Sequence, residues 1–225
     1  MSTISVSQTG LIERLAKLDT GAVSDALDSV GVGGVALGLT ALSVGRRIVG
    51  RVITVQLGPD DGRSSHRHLC TAAVEASGPG TIIVVAHRGC IDVAGWGGIL
   101  SLAAVRRGAE GVVIDGACRD IDETRQLSLP LYARCAVPIT ARGRVVELEW
   151  NTAVTIAGIS VSPEDLLIAD GSGVVVIPQA IAEKVIAKAE NIVDRERLIA
   201  DAVQAGEPVS SVMGKSYEEM LRHPS

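Results

Sequence analysis

The sequence predicts a single α/β domain with a central β/β/α layering and a long C-terminal helix. Helical and strand patterns are mixed along the chain, and residues 48–57 and 145–177 are rich in strand-like runs. The segment Ala180–Ala205 follows a continuous amphipathic helical pattern. No internal repeat and no linker long enough to separate domains interrupts the 225 residues. We therefore assign residues 1–206 to one domain and residues 207–225 to a polar C-terminal tail.

The composition limits the kinds of molecule that the protein is expected to bind. Hydrophobic residues make up 47% and charged residues 21% of the chain, which is ordinary for a globular protein. The chain has no Phe, two Trp and two Tyr, and its net charge is −5. These features argue against nucleic-acid binding and against a membrane-surface role. They leave room for a local basic pocket that binds a small anionic metabolite.

The N-terminus and the lack of a long apolar run lead us to expect a cytoplasmic protein, and the cysteines suggest no metal site. The four cysteines show no close metal-ligand spacing, so we expect small buried apolar side chains: Cys70, Cys90, Cys118 and Cys135. The N-terminal stretch has neither a basic region nor an apolar core typical of a signal peptide. No apolar run is long enough to span a bilayer.

The first predicted elements are two helices. Leucines at helical spacing predict a short helix over Gly10–Leu18. Thr20 is the predicted N-cap of a second helix, Ala22–Val30, which stops at Gly31. The glycine-rich stretch Gly31–Gly38 contains no lysine and follows no buried strand, so we do not expect a phosphate loop there.

A strand, a helix and a strand come next: Ile48–Leu57, His66–Ala76 and Thr81–Ala86. Ser64 and Ser65 are the candidate N-caps of this helix. His66 and His68 are two residues apart and would face different ways on a helix, so they do not predict a metal site. Either histidine could instead face a pocket as an anion donor or a base.

The stretch Gly95–Asp120 organises the rest of the chain. Its predicted parts are a glycine turn, a helix, a buried strand, a loop and an Arg-Asp pair: Gly95–Gly98, Ile99–Arg107, Gly111–Ile114, Asp115–Cys118 and Arg119-Asp120. Gly108 is the predicted C-cap of the helix. This order places a helix N-terminus and the Arg-Asp pair at the edge of one sheet.

These groups suit chemistry on a 2-oxo acid. The free N–H groups and positive dipole end of a helix favour a carboxylate or phosphate. Arg119 offers a permanently charged fork for a carboxylate or enolate, and Asp120 is a hard oxygen ligand for a divalent cation. Asp115, four residues before Arg119, is a candidate supporting carboxylate. The residue pattern alone is equally compatible with a salt-bridged helix start.

The remaining elements are mostly short strands. A short helix is predicted at Ile121–Leu127. The predicted strands are Leu131–Arg134, Val145–Trp150, Val154–Val161, Leu166–Ala169 and Val174–Ile177. In the long last helix, Asn191 marks where a break would fall, and Gly206 closes the helix.

The sequence also resembles a family. GWGGIL followed by GAEGVVIDGACRD resembles the signature of the RraA-like fold, which includes class II 4-hydroxy-4-methyl-2-oxoglutarate/4-carboxy-4-hydroxy-2-oxoadipate aldolases. Four further segments fall in the expected order: TGAVSDAL (20–27), VGRVITV (49–55), GPGTIIVV (78–85) and DGSGVVVIP (170–178). The resemblance extends to about Gly206 and implies an RraA-like fold.

The resemblance implies roles for particular residues. The matching arginine, Arg119, would hold the substrate and stabilise an enolate, and the matching aspartate, Asp120, would bind Mg²⁺ or Mn²⁺. The backbone N–H groups that match the site for the substrate carboxylate are those of Gly97, Gly98, Ile99 and Leu100. Glu196 resembles an acidic residue that a neighbouring subunit contributes, and Glu190 could fill the same role. The implied reaction releases pyruvate, by retro-aldol cleavage or by decarboxylation of oxaloacetate.

One departure from the family pattern leaves the function open. The aldolases carry an acidic residue at the position of Gly98, whereas RraA-type regulators of ribonuclease can lack it. The alternatives are a metal-dependent lyase, a non-catalytic regulator, and another lyase or hydrolase reaction on the same metal site with His66 or His68 as the base. The resemblance also implies a homo-oligomer, a trimer or a dimer of trimers, with the site at a subunit boundary.

Overall fold

The computed structural model describes residues 6–60, 62 and 67–213. The helices are α1 Val6–Leu15, α2 Thr20–Asp28, α3 Thr71–Ala76, α4 Gly98–Arg107, α5 Ile121–Gln126, α6 Ala182–Gln204 and α7 Val209–Val212, with a 3₁₀ turn at Gln179–Ile181. The strands are β1 Thr40–Ala41, β2 Ile48–Pro59, β3 Thr81–Ala94, β4 Gly111–Cys118, β5 Leu131–Ala136, β6 Val145–Trp150, β7 Val154–Ile156, β8 Ile159–Val161, β9 Leu166–Asp170 and β10 Gly173–Ile177.

One nearly closed sheet forms the centre of the fold. Its order is β1-β5-β4-β3-β2-β9-β10, and β6 pairs with the far end of β2. Strands β2 to β5 are parallel neighbours, connected in sequence by α3, α4 and α5. Val35 bridges to Val175 of β10 while β1 pairs with β5, so one short segment reaches both edges of the sheet.

Alternating side chains on the strands build three apolar clusters. The inner face of the curved sheet packs against the hairpin β7–β8 through residues such as Val84, Tyr132 and Ile156. The outer face is covered by α3 and α4 around Val85, and by α1, α2 and α6 around Ile168. The predicted α/β class, with hairpin, sheet and helices in layers and a long C-terminal helix, is confirmed.

Several predicted elements are confirmed closely. Helix α4 follows the glycine turn and ends at Gly108, which has the left-handed φ of 82° expected of a C-cap glycine. Strand β6 has the predicted bounds, and α5 ends one residue early. Helix α6 runs unbroken through Asn191. None of the described helices is long and apolar enough to cross a membrane.

Two predictions about strand length were wrong. Asp115–Cys118 is not a loop, because β4 continues through Cys118, where Ala117 pairs with Cys135 of β5. Strand β3 likewise continues past Ala86 to Ala94. In both cases a neighbouring strand supplies backbone hydrogen bonds that local sequence does not reveal.

Two predictions about helix starts were also wrong. Asp19, and not Thr20, caps α2, because the Asp19 carboxylate accepts the N–H of Ala22 at 2.9 Å. The helix predicted at His66–Ala76 is shorter, because Cys70 adopts a left-handed φ of 64° before α3 begins. His66, Ser64 and Ser65 lie outside the described residues, as does the tail beyond residue 213.

The carboxylate of Asp170 joins the start of α2 to the β9–β10 turn. It accepts hydrogen bonds from the Thr20 N–H at 3.0 Å and the Thr20 hydroxyl at 2.7 Å, and from the Ser172 N–H at 2.9 Å. Burial acts to raise the pKa of Asp170, but these hydrogen bonds and Arg47 outweigh it, so the pKa lies below its ordinary value.

We expect Asp170→Asn to lower the free energy of unfolding by about 1–3 kcal/mol at pH 7, because charge-assisted hydrogen bonds are lost. A lowered pKa stabilises the fold above the ordinary pKa of about 3.9, and this contribution is lost as pH falls through the folded-state pKa. Urea unfolding should therefore show a difference between wild type and variant that shrinks on acidification. The exposed Asp201→Asn should not change stability, and a pH-independent difference for Asp170→Asn would contradict this account.

Candidate functional site

The glycine turn and the Arg-Asp pair meet at the carboxyl ends of β3 and β4. These strands are parallel neighbours, so the residues that follow them emerge at one sheet edge. The Arg119 N–H donates to the Trp96 carbonyl at 3.0 Å, and the Gly95 N–H donates to the Ala117 carbonyl at 2.8 Å. The structure thus brings together the two segments that the sequence analysis singled out.

The side chain of Asp120 lies against the glycine turn. Its Oδ2 atom accepts the Gly98 N–H at 3.0 Å and the Arg119 Nε–H at 3.1 Å. Asp120 has a left-handed φ of 57° at the residue before α5, and its side chain makes no capping bond to that helix. This unusual backbone directs the carboxylate to the turn. A Cβ at Gly97 would lie 2.8 Å from the same oxygen, so glycine permits the close approach.

Glu123 is the site residue that the sequence analysis missed. A Cβ built on Gly98 would overlap Glu123 Oε2 and would lie 3.2 Å from Asp120 Cβ. The Glu123 carboxylate therefore occupies the space that a side chain at position 98 would need. Glu123 is three residues after Asp120, in the first turn of α5. The three-residue spacing from Asp120 was the feature of the sequence that could have indicated Glu123. An acidic group therefore lies beside Gly98, although position 98 itself is a glycine.

The N-terminus of α4 provides free backbone donors. The first intrahelical bond runs from the Ser101 N–H to the Gly97 carbonyl at 3.1 Å, so the preceding N–H groups have no intrahelical partner. The Gly98 N–H is taken by Asp120. Three N–H groups remain as candidates for binding an anion, those of Gly97, Ile99 and Leu100.

Buried hydroxyl groups form a hydrogen-bond network next to the glycine turn and Asp120. The Trp96 Nε1–H donates to the Ser101 hydroxyl at 2.9 Å, which lies 3.0 Å from the Thr124 hydroxyl. Thr124 donates to the Asp120 carbonyl at 3.1 Å. Trp96, Ser101 and Thr124 are all buried. The network connects the turn, α4 and α5 to the left-handed Asp120.

The groups border a cavity of about 470 Å³, a size typical of small-molecule sites. One wall consists of the glycine turn, the first turn of α4 and the Arg119–Asp120 pair. The second wall comes from residues 67–69, 71, 140–142 and 145–147. His68 lies in this second wall and is exposed, with its Nδ1 3.1 Å from the Leu69 carbonyl oxygen.

Asp115 does not support Arg119. Its carboxylate accepts the Arg134 Nε–H at 2.6 Å and the Ala157 N–H at 2.9 Å. It is buried on β4 and joins β5 to the turn of the β7–β8 hairpin. The predicted supporting role is therefore corrected, because the extended strand directs this side chain to another neighbour.

Glu190 and Glu196 differ in their surroundings. Glu190 is held by Arg14 of its own chain through two hydrogen bonds of 2.8 and 2.7 Å. Glu196 is half-buried, and its pKa is raised by burial and by the carboxylates of Asp19 and Asp25. Neither glutamate borders the cavity of its own chain. A contribution of Glu196 to a neighbouring copy stays a prediction.

The site offers two carboxylates for a cation. No group of three or more His, Cys, Asp or Glu side chains within the described part of the chain is arranged to hold a metal. Asp120 and Glu123 do converge at the Gly98 edge. Mg²⁺ usually keeps several waters and binds proteins through one or two carboxylates. The donor set therefore fits Mg²⁺ or Mn²⁺.

Comparisons with known proteins converge on one family. A family model described as RraA-like (Aldolase/RraA) matches residues 20–176. A protein named "Putative 4-hydroxy-4-methyl-2-oxoglutarate aldolase" from Halalkalibacterium halodurans is 30% identical over 226 residues, covering 99% of this chain and 100% of that protein. DlpA of Legionella pneumophila is 29% identical over 202 residues, covering 90% of this chain. This chain matches only 33% of DlpA's length.

Solved structures show the same fold. An uncharacterised protein from Pseudomonas syringae has a TM-score of 0.83 and 31% identity, covering 95% of this chain and 100% of that one. The RNA-processing inhibitor RraA from Thermus thermophilis has a TM-score of 0.55 and 29% identity, covering 65% of this chain and 85% of that one.

We expect the Ser101 and Thr124 hydroxyls to act as a pair. Thr124→Val removes the hydroxyl with little change of shape and should destabilise the fold by about 1–3 kcal/mol, because buried partners are left unpaired. A double-mutant cycle with Ser101→Ala, measured by urea unfolding, should give a coupling energy of about 0.5–3 kcal/mol. Thr124→Ser should remain close to wild type. Strictly additive effects would show that the network does not act as a unit.

Proposed function

We propose that this chain, which belongs to the RraA-like family, is a divalent-metal-dependent lyase that cleaves a carbon–carbon bond of a 2-oxo acid to release pyruvate. The observation that carries the proposal is the convergence of Arg119, Asp120 and Glu123 on the N-terminus of α4. The name of the H. halodurans relative supports substrates such as 4-hydroxy-4-methyl-2-oxoglutarate. Oxaloacetate is the second substrate that we propose.

Binding of the substrate carboxylate is assigned to the free N–H groups at the start of α4. These donors and the positive end of the helix dipole favour an anion. Arg119 borders the same cavity, and its side chain is 38% exposed. An arginine guanidinium carries a permanent positive charge. It can therefore stabilise the negative charge that develops on the enolate oxygen of pyruvate.

Asp120 and Glu123 would hold Mg²⁺ or Mn²⁺, with water completing the coordination. When bound, the ion would polarise the 2-oxo group as a Lewis acid. Asp120 also orients Arg119 through the Nε–H bond of 3.1 Å, so one side chain serves both the cation and the arginine.

A glycine at position 98 is compatible with the proposed lyase activity. The side chain of an acidic residue at position 98, as the family's aldolases have it, would need the space that the Glu123 carboxylate occupies. An aspartate introduced at Gly98 would displace Glu123 and crowd a third negative charge beside Asp120. We therefore propose that Glu123 replaces the missing acidic group, so Gly98→Asp is not expected to improve the site.

A protein-binding regulator of ribonuclease activity is the second candidate. It is favoured by the similarity to the Thermus RNA-processing inhibitor RraA. The test is direct: inhibition of a ribonuclease by the purified protein, without any release of pyruvate from 2-oxo diacids, would favour this alternative.

We also propose a homo-oligomer, a trimer or a dimer of trimers, with the cavity near a subunit boundary. Ile99, at the edge of the cavity, is 80% exposed, and Leu198 on α6 is 70% exposed. Burial of these two side chains against another copy would remove apolar surface from water. Light scattering should show the oligomer at micromolar concentration, and a monomer alone would contradict this proposal.

We expect EDTA to abolish pyruvate release and Mg²⁺ or Mn²⁺ to restore it. Asp120→Asn should lower kcat by about 10²-fold or more, since it removes electrostatic stabilisation of the transition state. Asp120→Asn and Glu123→Gln should each weaken Mn²⁺ binding, measured by electron paramagnetic resonance. Asp122→Asn is the matched control, because Asp122 is 88% exposed on the same helix and pairs with Arg125. Full activity in chelator would overturn the mechanism.

A further inference from the structure

We infer that Glu147 is the proton-transfer residue of this site, the group that removes the hydroxyl proton of the substrate and protonates the enolate. The inference rests on the proposed function, because it assigns a base to that lyase. Glu147 lies in the second wall of the cavity, to which the proposed function assigns no role.

The position of Glu147 is set by strand β6. This strand pairs antiparallel with the far end of β2, where Glu147 is opposite Leu57. The side chain is half-buried and borders the same cavity as Arg119 and Asp120. A carboxylate on the second wall therefore shares one cavity with the groups that would bind the 2-oxo acid.

The carboxylate is held in place by the backbone before α3. Glu147 Oε2 accepts the Cys70 N–H at 2.6 Å, and the left-handed backbone of Cys70 presents that N–H. The buried Cys70 thiol lies 3.8 Å from the Gly95 carbonyl and donates to it. The chain of contacts from Glu147 through Cys70 to Gly95 links the second wall to the glycine turn. Among the described residues, no hydrogen bond engages Glu147 Oε1.

The surroundings favour a carboxyl group that can exchange a proton. Burial raises the pKa of Glu147, and the Cys70 N–H, Arg67 and His68 oppose this shift only in part. A general acid or base works best when its pKa approaches the working pH. The raised pKa therefore supports the role that the position of Glu147 indicates.

Other groups bordering the cavity are less suited to this step. Arg119 has only donors and no acceptor, so it is not suited to act as a base. Asp120 contacts Arg119 and Gly98, and with Glu123 it is assigned to the cation. His68 is exposed, whereas Glu147 is half-buried and held by the Cys70 N–H. His66 lies outside the described residues.

The proposed cycle conserves protons and electrons. The Glu147 carboxylate takes the proton of the C4 hydroxyl, C4–O becomes a carbonyl, and the C3–C4 bond breaks. The electron pair of that bond forms the pyruvate enolate, whose charge Arg119 stabilises. Glu147 then returns its proton to C3, which gives the methyl group of pyruvate and restores the carboxylate. With oxaloacetate, CO₂ leaves instead, and Glu147 takes its proton from solvent before protonating C3.

The decisive variant is Glu147→Gln, because the amide oxygen can still accept the Cys70 N–H but cannot exchange a proton. We expect kcat for retro-aldol cleavage to fall by about 10²–10⁴-fold. Exchange of the pyruvate methyl protons with D₂O, followed by NMR, should fall to a similar extent. Affinity for oxalate, a planar dianion that resembles the enolate, should stay unchanged in calorimetry with Mn²⁺ present.

Glu149→Gln is the matched control, since Glu149 lies on the same strand, is exposed and does not border the cavity. It should retain wild-type exchange. Wild-type exchange in Glu147→Gln together with loss in Glu147→Ala would show a merely structural role and overturn the inference. A wild-type protein with neither pyruvate release nor exchange would overturn the proposed function as well.

The pH profile of the wild type provides a test that does not depend on the folding of a variant. The exchange rate should fall on acidification with an apparent pKa above the ordinary glutamate value, because the base must be ionised to remove a methyl proton. Glu147→Asp should keep this acidic limb at a reduced rate. A wild-type rate that stays constant down through the ordinary glutamate pKa would overturn the assignment.

Discussion

The candidate site depends on one acceptor atom, Asp120 Oδ2, which accepts two hydrogen bonds, from the Gly98 N–H and from the Arg119 Nε–H. They require Asp120 to adopt a left-handed backbone and to point away from the helix that follows it. Such a conformation costs free energy and persists only when its surroundings determine it. Here the buried Thr124 hydroxyl, which contacts the Ser101 hydroxyl, donates to the Asp120 carbonyl. The Asp120 side chain is held by the Gly98 N–H of the glycine turn.

The space left by two glycines explains how the acidic groups are distributed. Without a Cβ at Gly97, the Asp120 carboxylate can lie against the turn, and without one at Gly98, the Glu123 carboxylate can enter from α5. The negative charge therefore comes from residues at the start of α5 and not from a side chain in the glycine turn. In our proposal, Glu123, 25 positions later in the chain, replaces the acidic group that position 98 lacks.

The two walls of the cavity divide the proposed chemistry. The wall formed by the parallel strand ends offers charge and backbone donors that stabilise an anion. The wall formed by β6 and the residues before α3 offers a half-buried carboxyl group. Cys70 links the walls through Glu147 and Gly95, so the separation between them is set by the fold and not by flexible side chains alone.

The sequence by itself determined the features that arise from local physics. Glycine at the end of α4, helical spacing, β-branched runs and the adjacent Arg119-Asp120 pair each depend on residues close together in the chain. Only the tertiary structure decided which distant groups meet. The diversion of Asp115 to Arg134, the entry of Glu123 beside Gly98 and the place of Glu147 across the cavity all depend on sheet register and helix docking. Local propensity carries no information on those contacts, because backbone pairing between distant strands and the packing of whole helices determine them.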